Sequence, residues 1–285
     1  MKKIMNLKSA FHSKQWYLIL SLTLVACFTV RAAEPEPKPK SNPEGLVGYW
    51  KLNEGSGTTV YDSSGNKEQG EIVGNAKWAT DKSGPVLSFD GETSMVKIPD
   101  GKWNNGYPVT LMCWFKPERM PEGQNNGSVF NHVASGVIPG SYSLNASGGF
   151  NGYGGVSEGP IDYAKLKGTV LSMPVQPEEW HFIAVVIDRK ELRGYLDGQL
   201  AGSKEIDAWP RVEGPLTLGA RNLTEKNDRY FKGTIREMAV FNRTLTAEEI
   251  AAIHAAYVKG QSLSAPAATP AANPVATPAA APKTP

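Results

Sequence analysis

Cysteine is nearly absent from this chain: Cys27 and Cys113 are the two it has in 285 residues. Small domains stapled by several disulfides are excluded, and so are zinc sites built on cysteine clusters. Histidine is also scarce, and His132, His181 and His254 show no zinc-ligand spacing. There is no phosphate-binding loop and no basic stripe, so nucleotide and nucleic-acid partners gain no support. One long apolar run exists, Trp16–Val30, and it falls short of the roughly 20 residues that a membrane-spanning helix needs.

That run follows a basic start (Lys2, Lys3, Lys8, Lys14) and precedes Arg31-Ala32-Ala33, a small-residue stretch before Glu34-Pro35. The layout is that of an export signal over residues 1–33. Leu24-Val25-Ala26-Cys27 also resembles a bacterial lipoprotein box, in which Cys27 would carry lipid and tether the protein to a membrane. The apolar run continues past Cys27 to Val30, which fits cleavage near Ala33 better. Five of the 30 basic residues leave with such a signal, and the remaining 25 face 28 acidic ones, a net charge of −3. Residues 34–43 read as a Pro-rich linker. Residues 259–285 read as a Pro/Ala-rich tail with too little apolar surface to offset its ordering entropy. Without a cysteine partner after cleavage, Cys113 in Leu111-Met112-Cys113-Trp114 reads as a small buried hydrophobe.

Between the ends, residues 44–258 show short β-type runs separated by Gly, Asn, Asp and Pro. His181–Ile187 is apolar on both faces, as a central strand in a packed sandwich would be. Asp197-Gly198, between Tyr195-Leu196 and Gln199-Leu200, is a two-residue hairpin signal that requires positive φ. Leu216–Leu218 and Thr234–Phe241 read as further strands. One helix is predicted: Thr246 caps it, Glu249 completes a Thr-x-x-Glu capping box, and Leu245 with Ile250 forms the staple. Ile250, Ile253 and Tyr257 make its apolar face, with His254 at the rim.

The run Gly48-Tyr49-Trp50-Lys51-Leu52-Asn53-Glu54-Gly55-Ser56-Gly57, continuing to Asp62-Ser63-Ser64-Gly65, resembles the opening of laminin-G-like jelly-roll domains. Further matches follow in order: Leu87–Gly91, Val109–Pro117, Glu179-Trp180-His181, Tyr195–Gly198, Leu216–Ala220, and Phe231 through Ile250. The resemblance implies an all-β fold: a two-sheet antiparallel jelly-roll sandwich, concanavalin A-like, with one short C-terminal helix. It also implies extracellular recognition, frequently of carbohydrate, without a shared reaction. Trp50, Trp114 and Trp180 are expected in the core. Some relatives hold a structural calcium ion. Here Asn53 and Arg236 stand where the family commonly has Asp, which places that site in doubt and leaves Glu54, Asp62 and Asp90 as the remaining carboxylates.

Catalytic signals are weak. Glu205-Ile206-Asp207 lacks the alternating third acid of related glycosidases, and both glycosidase mechanisms need two positioned carboxylates. Gly155-Val156-Ser157-Glu158-Gly159 has nucleophile-elbow spacing but no strand before it and Pro160 after it. The segment Asn145–Pro160, dense in Gly and Asn, reads as a loop carrying Phe150 and Tyr153. Aromatic rings on loops can stack on sugars, and Tyr163, Trp209 and Tyr230 also lie near turn signals. The expectation is an exported, extracytoplasmic, non-catalytic domain that needs no cofactor and binds a polysaccharide or glycan. The rival is an envelope structural or adhesion protein binding another protein; a glycoside hydrolase or lyase is a minor alternative.

Overall fold

The computed structural model describes residues 42–119, 127–132, 141–146, 150–155, 170–173, 175–205, 213–222, 227–228, 230–261 and 263, with 141–146, 150–155, 170–172, 222 and 227–228 given by their backbone alone. The export signal, Cys27 and the tail beyond Leu263 lie outside them, as do Ser157, Tyr163, Asp207 and Trp209.

The chain forms β1 (Leu46–Trp50), β2 (Thr59–Val60), β3 (Gly70–Val73), β4 (Lys77–Asp81), β5 (Gly84–Asp90), β6 (Met95–Ile98), β7 (Val109–Pro117), β8 (Ser128–His132) and β9 (Ser141–Ala146). Then come β10 (Phe150–Gly155), β11 (Val170–Met173), β12 (His181–Ile187), β13 (Glu191–Leu196), β14 (Gln199–Glu205), β15 (Leu216–Leu218), β16 (Arg221–Asn222), β17 (Asn227–Asp228), β18 (Lys232–Phe241) and a single described helix, α1 (Ala247–Val258). The first sheet runs β14-β13-β12-β7-β18-β5-β4, with β1 also paired to β18; the second runs β11-β10-β9-β8-β15-β6-β3-β2. Every pairing is antiparallel, so the expected two-sheet sandwich with a C-terminal helix is the observed fold. No helix among the described residues is long and apolar enough to cross a membrane.

Alternation along the strands divides the buried residues into two cores. Leu87, Phe89, Leu111, Cys113, Phe115, Ile183, Val185 and Ile235 of the first sheet pack between the sheets with Val96, Ile98, Phe130, Leu216 and Leu218 of the second. Their strand neighbours Met112, Trp114, Phe182, Ala184, Val186, Ala239 and Phe241 face outward and are covered by Leu245, Ile250 and Ile253. His181–Ile187 is apolar on both faces because it serves both cores. Each such side chain contributes about 1.5–3 kcal/mol by leaving water. Cys113 is buried as expected, and burial pushes its thiol pKa far up.

Local chemistry sets the helix and the turns. Thr246 accepts from the Glu249 amide at 3.2 Å while Glu249 accepts from the Thr246 amide at 2.9 Å, the predicted capping box. Arg243 adds two hydrogen bonds to the Glu249 carboxylate, at 2.9 and 2.7 Å. Asp197 and Gly198 both take positive φ, 50° and 80°, as the hairpin requires. Gly219 is also left-handed, and a Cβ there would lie 2.2 Å from the Phe89 ring, so only glycine fits this approach to the core.

One local departure shapes the outer face. In β18 the register shifts between Arg236, paired with Trp114, and Met238, paired with Cys113. Glu237, at φ 54°, is the extra residue of this bulge. The bulge keeps Ile235 and Met238 both on the core side although three positions separate them.

Candidate functional site

The helix covers only part of the first sheet's outer face. Away from it, hydrogen-bonded neighbours on four strands make one row: Lys77 on β4, Ser88 on β5, Thr234 on β18 and Lys116 on β7. Ser88, Thr234 and Lys116 are strand neighbours of the core residues Leu87, Ile235 and Phe115, and Lys77 of Trp78, which packs partly buried against that core, so the row faces away from the core, and each is at least partly exposed. Trp180, immediately before β12, closes the row. Its ring lies 5.6 Å from Lys116 Nζ and 4.4 Å from the Arg236 guanidinium, which also sits 5.4 Å from the Trp114 ring.

Arg236 is therefore clamped between two indoles, with Asp81 at 3.9 Å. Beyond Trp114 the stack continues into His254, whose ring lies 5.4 Å away and nearly parallel. Burial lowers the His254 pKa despite the opposing pull of Asp197. Stacking of this kind stabilises by about 0.5–2 kcal/mol per cation–aromatic contact. The expected core placement holds for Trp50 and Trp114. Trp180 is half-buried and lies at the border of covered and open sheet.

Asp62, Asp90 and Glu54, singled out from the sequence, are each engaged locally. Asp62 accepts from the amides of Tyr49, Ser64 and Glu68 and from the Ser64 hydroxyl, at 2.8–3.1 Å. Asp90 accepts from the amides of Glu92, Thr93 and Ser94 and from both hydroxyls. Burial works against the Asp90 charge, but these donors outweigh it and hold the carboxyl well below the usual range. Glu54 accepts from the Tyr61 amide at 2.9 Å. These carboxylates are organising their own turns, and among the described residues no group of three His, Cys, Asp or Glu side chains gathers where a metal could sit.

Phe150 and Tyr153 are on a strand, contrary to the loop expected from the Gly- and Asn-rich sequence. β10 pairs β9 through Phe150↔Ala146 and Tyr153↔Ser143, and β11 through Phe150↔Met173 and Tyr153↔Val170. Positions three apart fall on opposite faces of a strand. Position 150 is in register with Met173, which is fully buried in the central core. Tyr230 is half-buried beside Phe231, while Tyr163 and Trp209 lie outside the described residues.

One histidine–carboxylate pair invites a catalytic reading. His181 Nδ1 lies 3.0 Å from Asp197 Oδ2, and the other Asp197 oxygen accepts from the Phe182 amide at 2.8 Å. Burial opposes the His181 charge, but the Asp197 hydrogen bond and charge outweigh it and raise the pKa. Nε2, the atom a general base would use, is already 3.1 Å from both the amide and the carbonyl of Gln176. The pair pins the β13–β14 turn to the loop before β12.

The row Lys77–Ser88–Thr234–Lys116 with Trp180 was not read from the sequence. Its legible trace is the placement of Lys116, Thr234 and Arg236 at alternate positions opposite Phe115 and Ile235.

Comparison with known folds gives the same architecture. Domain 4 of AbnA, a GH43 extracellular arabinanase from Geobacillus stearothermophilus, solved in complex with arabinotriose, is 18% identical with a TM-score of 0.55. The likeness covers 75% of this chain and 98% of that one. The binding domain of botulinum neurotoxin DC, in complex with rat synaptotagmin II, is 11% identical with a TM-score of 0.58, covering 74% and 51%. A structure on cell entry of botulinum neurotoxin type C, described as dependent on interaction with two ganglioside molecules, is 12% identical with a TM-score of 0.57, covering 74% and 51%. This chain thus spans about half the length of those toxin domains. No curated protein sequence matches it. A family profile does match over residues 90–251, more than half of the chain, and with the sandwich and its core in place this chain belongs to the Concanavalin A-like lectin/glucanases superfamily, family Laminin_G_3.

Proposed function

We propose that the protein is an exported, non-catalytic recognition domain that holds a glycan on the open half of the first sheet's outer face. The observation that carries this function is Trp180, an indole half-exposed at the end of a row of hydroxyls and ammonium groups. An apolar wall beside convergent polar groups is the usual anatomy of a small-ligand site, and a pyranose offers both an apolar face and hydroxyls. Arg236 beneath the ring fixes its orientation before any ligand arrives, which lowers the ordering cost of binding. The carbohydrate ligands of the arabinanase domain and of the type C toxin support the same use of the fold. Hydrolysis would need two positioned carboxylates, and on this shelf Asp81 is engaged with Arg236.

A glycan array probed with the whole chain tests the function. Trp180→Ala should weaken binding by about 1–3 kcal/mol, the burial value of a large apolar side chain. Trp180→Phe should retain part of it, and circular dichroism should show both variants folded. Capture of a protein with no glycan bound would favour the adhesion role that the toxin–synaptotagmin complex illustrates.

A further inference from the structure

The charges on the shelf narrow the ligand further, and this step rests on the function proposed above. Lys232 is paired with Glu118 at 3.3 Å, Arg236 has Asp81 at 3.9 Å, and Asp90 is committed to its turn. Among the described residues, Lys77 and Lys116 have no carboxylate within salt-bridge distance, and the Ser88 and Thr234 hydroxyls between them hold no hydrogen bond. Neither ammonium group on this row is neutralised by a carboxylate, Lys116 reaching only the Trp180 ring at 5.6 Å, although the chain without its first 33 residues carries a net charge of −3. Three strand spacings separate them, about 14 Å at Cα. The hydroxyls fill the interval and the indole ends it.

We propose that the ligand is an anionic glycan. Its acid groups pair with Lys77 and Lys116, its hydroxyls bond Ser88 and Thr234, and one ring stacks on Trp180. Lysine meets the acids as a mobile point charge rather than a fixed fork, so the shelf accepts carboxylate or sulfate alike. The pairs are exposed, and salt screens exposed charges over about 8–10 Å. Binding should therefore fall as ionic strength rises.

The test uses the chain lacking only its first 33 residues and four polymers: polygalacturonate, dextran sulfate, neutral arabinan and dextran. Titration calorimetry at 50 and 300 mM NaCl should show binding of at least one polyanion, weaker in the higher salt. The double variant Lys77→Gln/Lys116→Gln should lose at least tenfold in affinity while its melting temperature holds. The polygalacturonate and dextran sulfate arms separate carboxylate from sulfate. If a neutral polymer binds and the double variant leaves it unchanged while Trp180→Ala abolishes it, glycan recognition stands and the anionic proposal is wrong. Polyanion binding that survives the double variant also overturns the proposal, because the charge then acts elsewhere. Absence of binding to all four polymers and to a glycan array defeats the glycan function itself.

Discussion

The Tyr49 hydroxyl on β1 donates to the Glu237 carboxylate at the β18 bulge, at 2.5 Å, and approaches the Tyr257 hydroxyl of α1 at 3.3 Å. Glu237 is therefore the polar hinge between the strand that breaks register and the helix that covers the sheet. Burial pushes its pKa up to about 7, against the lowering pull of Tyr49, Arg236 and Lys51.

A carboxyl whose folded pKa is raised binds its proton more tightly in the native state. Its contribution is fully present below the unfolded value of 4.5 and is lost as pH rises through about 7. Thermal unfolding should thus show a falling melting temperature from pH 5 to pH 8. Glu237→Gln keeps an acceptor for Tyr49 and removes the charge, so it should gain on wild type by about 1–3 kcal/mol at pH 8 and little at pH 5. The raised His181 pKa slopes the same way and should persist in the variant. An unchanged pH profile would show that Glu237 ionises freely.

Contacts with the sandwich and its helix reach slightly beyond residues 44–258. Asn42 donates to the Ser64 carbonyl at 2.6 Å, Pro43 is buried and accepts from the Leu46 amide, and Leu263 packs on the cluster beneath α1. A chain spanning 42–263 should unfold cooperatively, and one spanning 44–258 should be less stable by about 1–3 kcal/mol, the scale of one buried apolar side chain and one hydrogen bond. Equal denaturant midpoints would show these end contacts to be idle.

Asp90 gives a pH test of opposite sign. Its depressed pKa contributes stability that is present above the unfolded value near 4 and lost as pH falls toward the folded one. Asp90→Asn should destabilise at pH 7, by roughly 1–3 kcal/mol for the charge-assisted hydrogen bonds lost, and its difference from wild type should shrink progressively as pH falls below about 4. Because these oxygens already hold amides and hydroxyls, adding a chelator or calcium should move the melting temperature of either protein by less than about a degree. A large drop with chelator that calcium reverses would show that a metal occupies these carboxylates after all.

Local signals read correctly from the sequence share a feature: each closes within a few residues. The Thr246–Glu249 box and the Asp197-Gly198 turn depend on neighbours along the chain. The shelf was invisible because residues 77, 88, 116 and 234 become adjacent only through the strand order β4-β5-β18-β7. The bulge did leave a trace: Ile235 and Met238 cannot share a face unless one residue between them is extra. The strand at Phe150–Gly155 was missed because Gly and Asn are poor strand formers, and pairing with both β9 and β11 overrides that propensity.

That strand supplies the last prediction. If β10 holds its register with Met173, position 150 belongs to the core side and position 153 to the opposite face. Phe150→Ala should then destabilise by about 3–5 kcal/mol, the usual cost of truncating a core phenylalanine. Tyr153→Ala should cost less than about 1 kcal/mol. Neither change touches the row ending at Trp180, so glycan affinity measured well below the melting temperature should be unaltered in both. Equal, small effects on stability would mean the two rings share a solvent-facing surface, as a sugar wall requires. A loss of binding in Tyr153→Ala with stability intact would move the site to β10 in the second sheet.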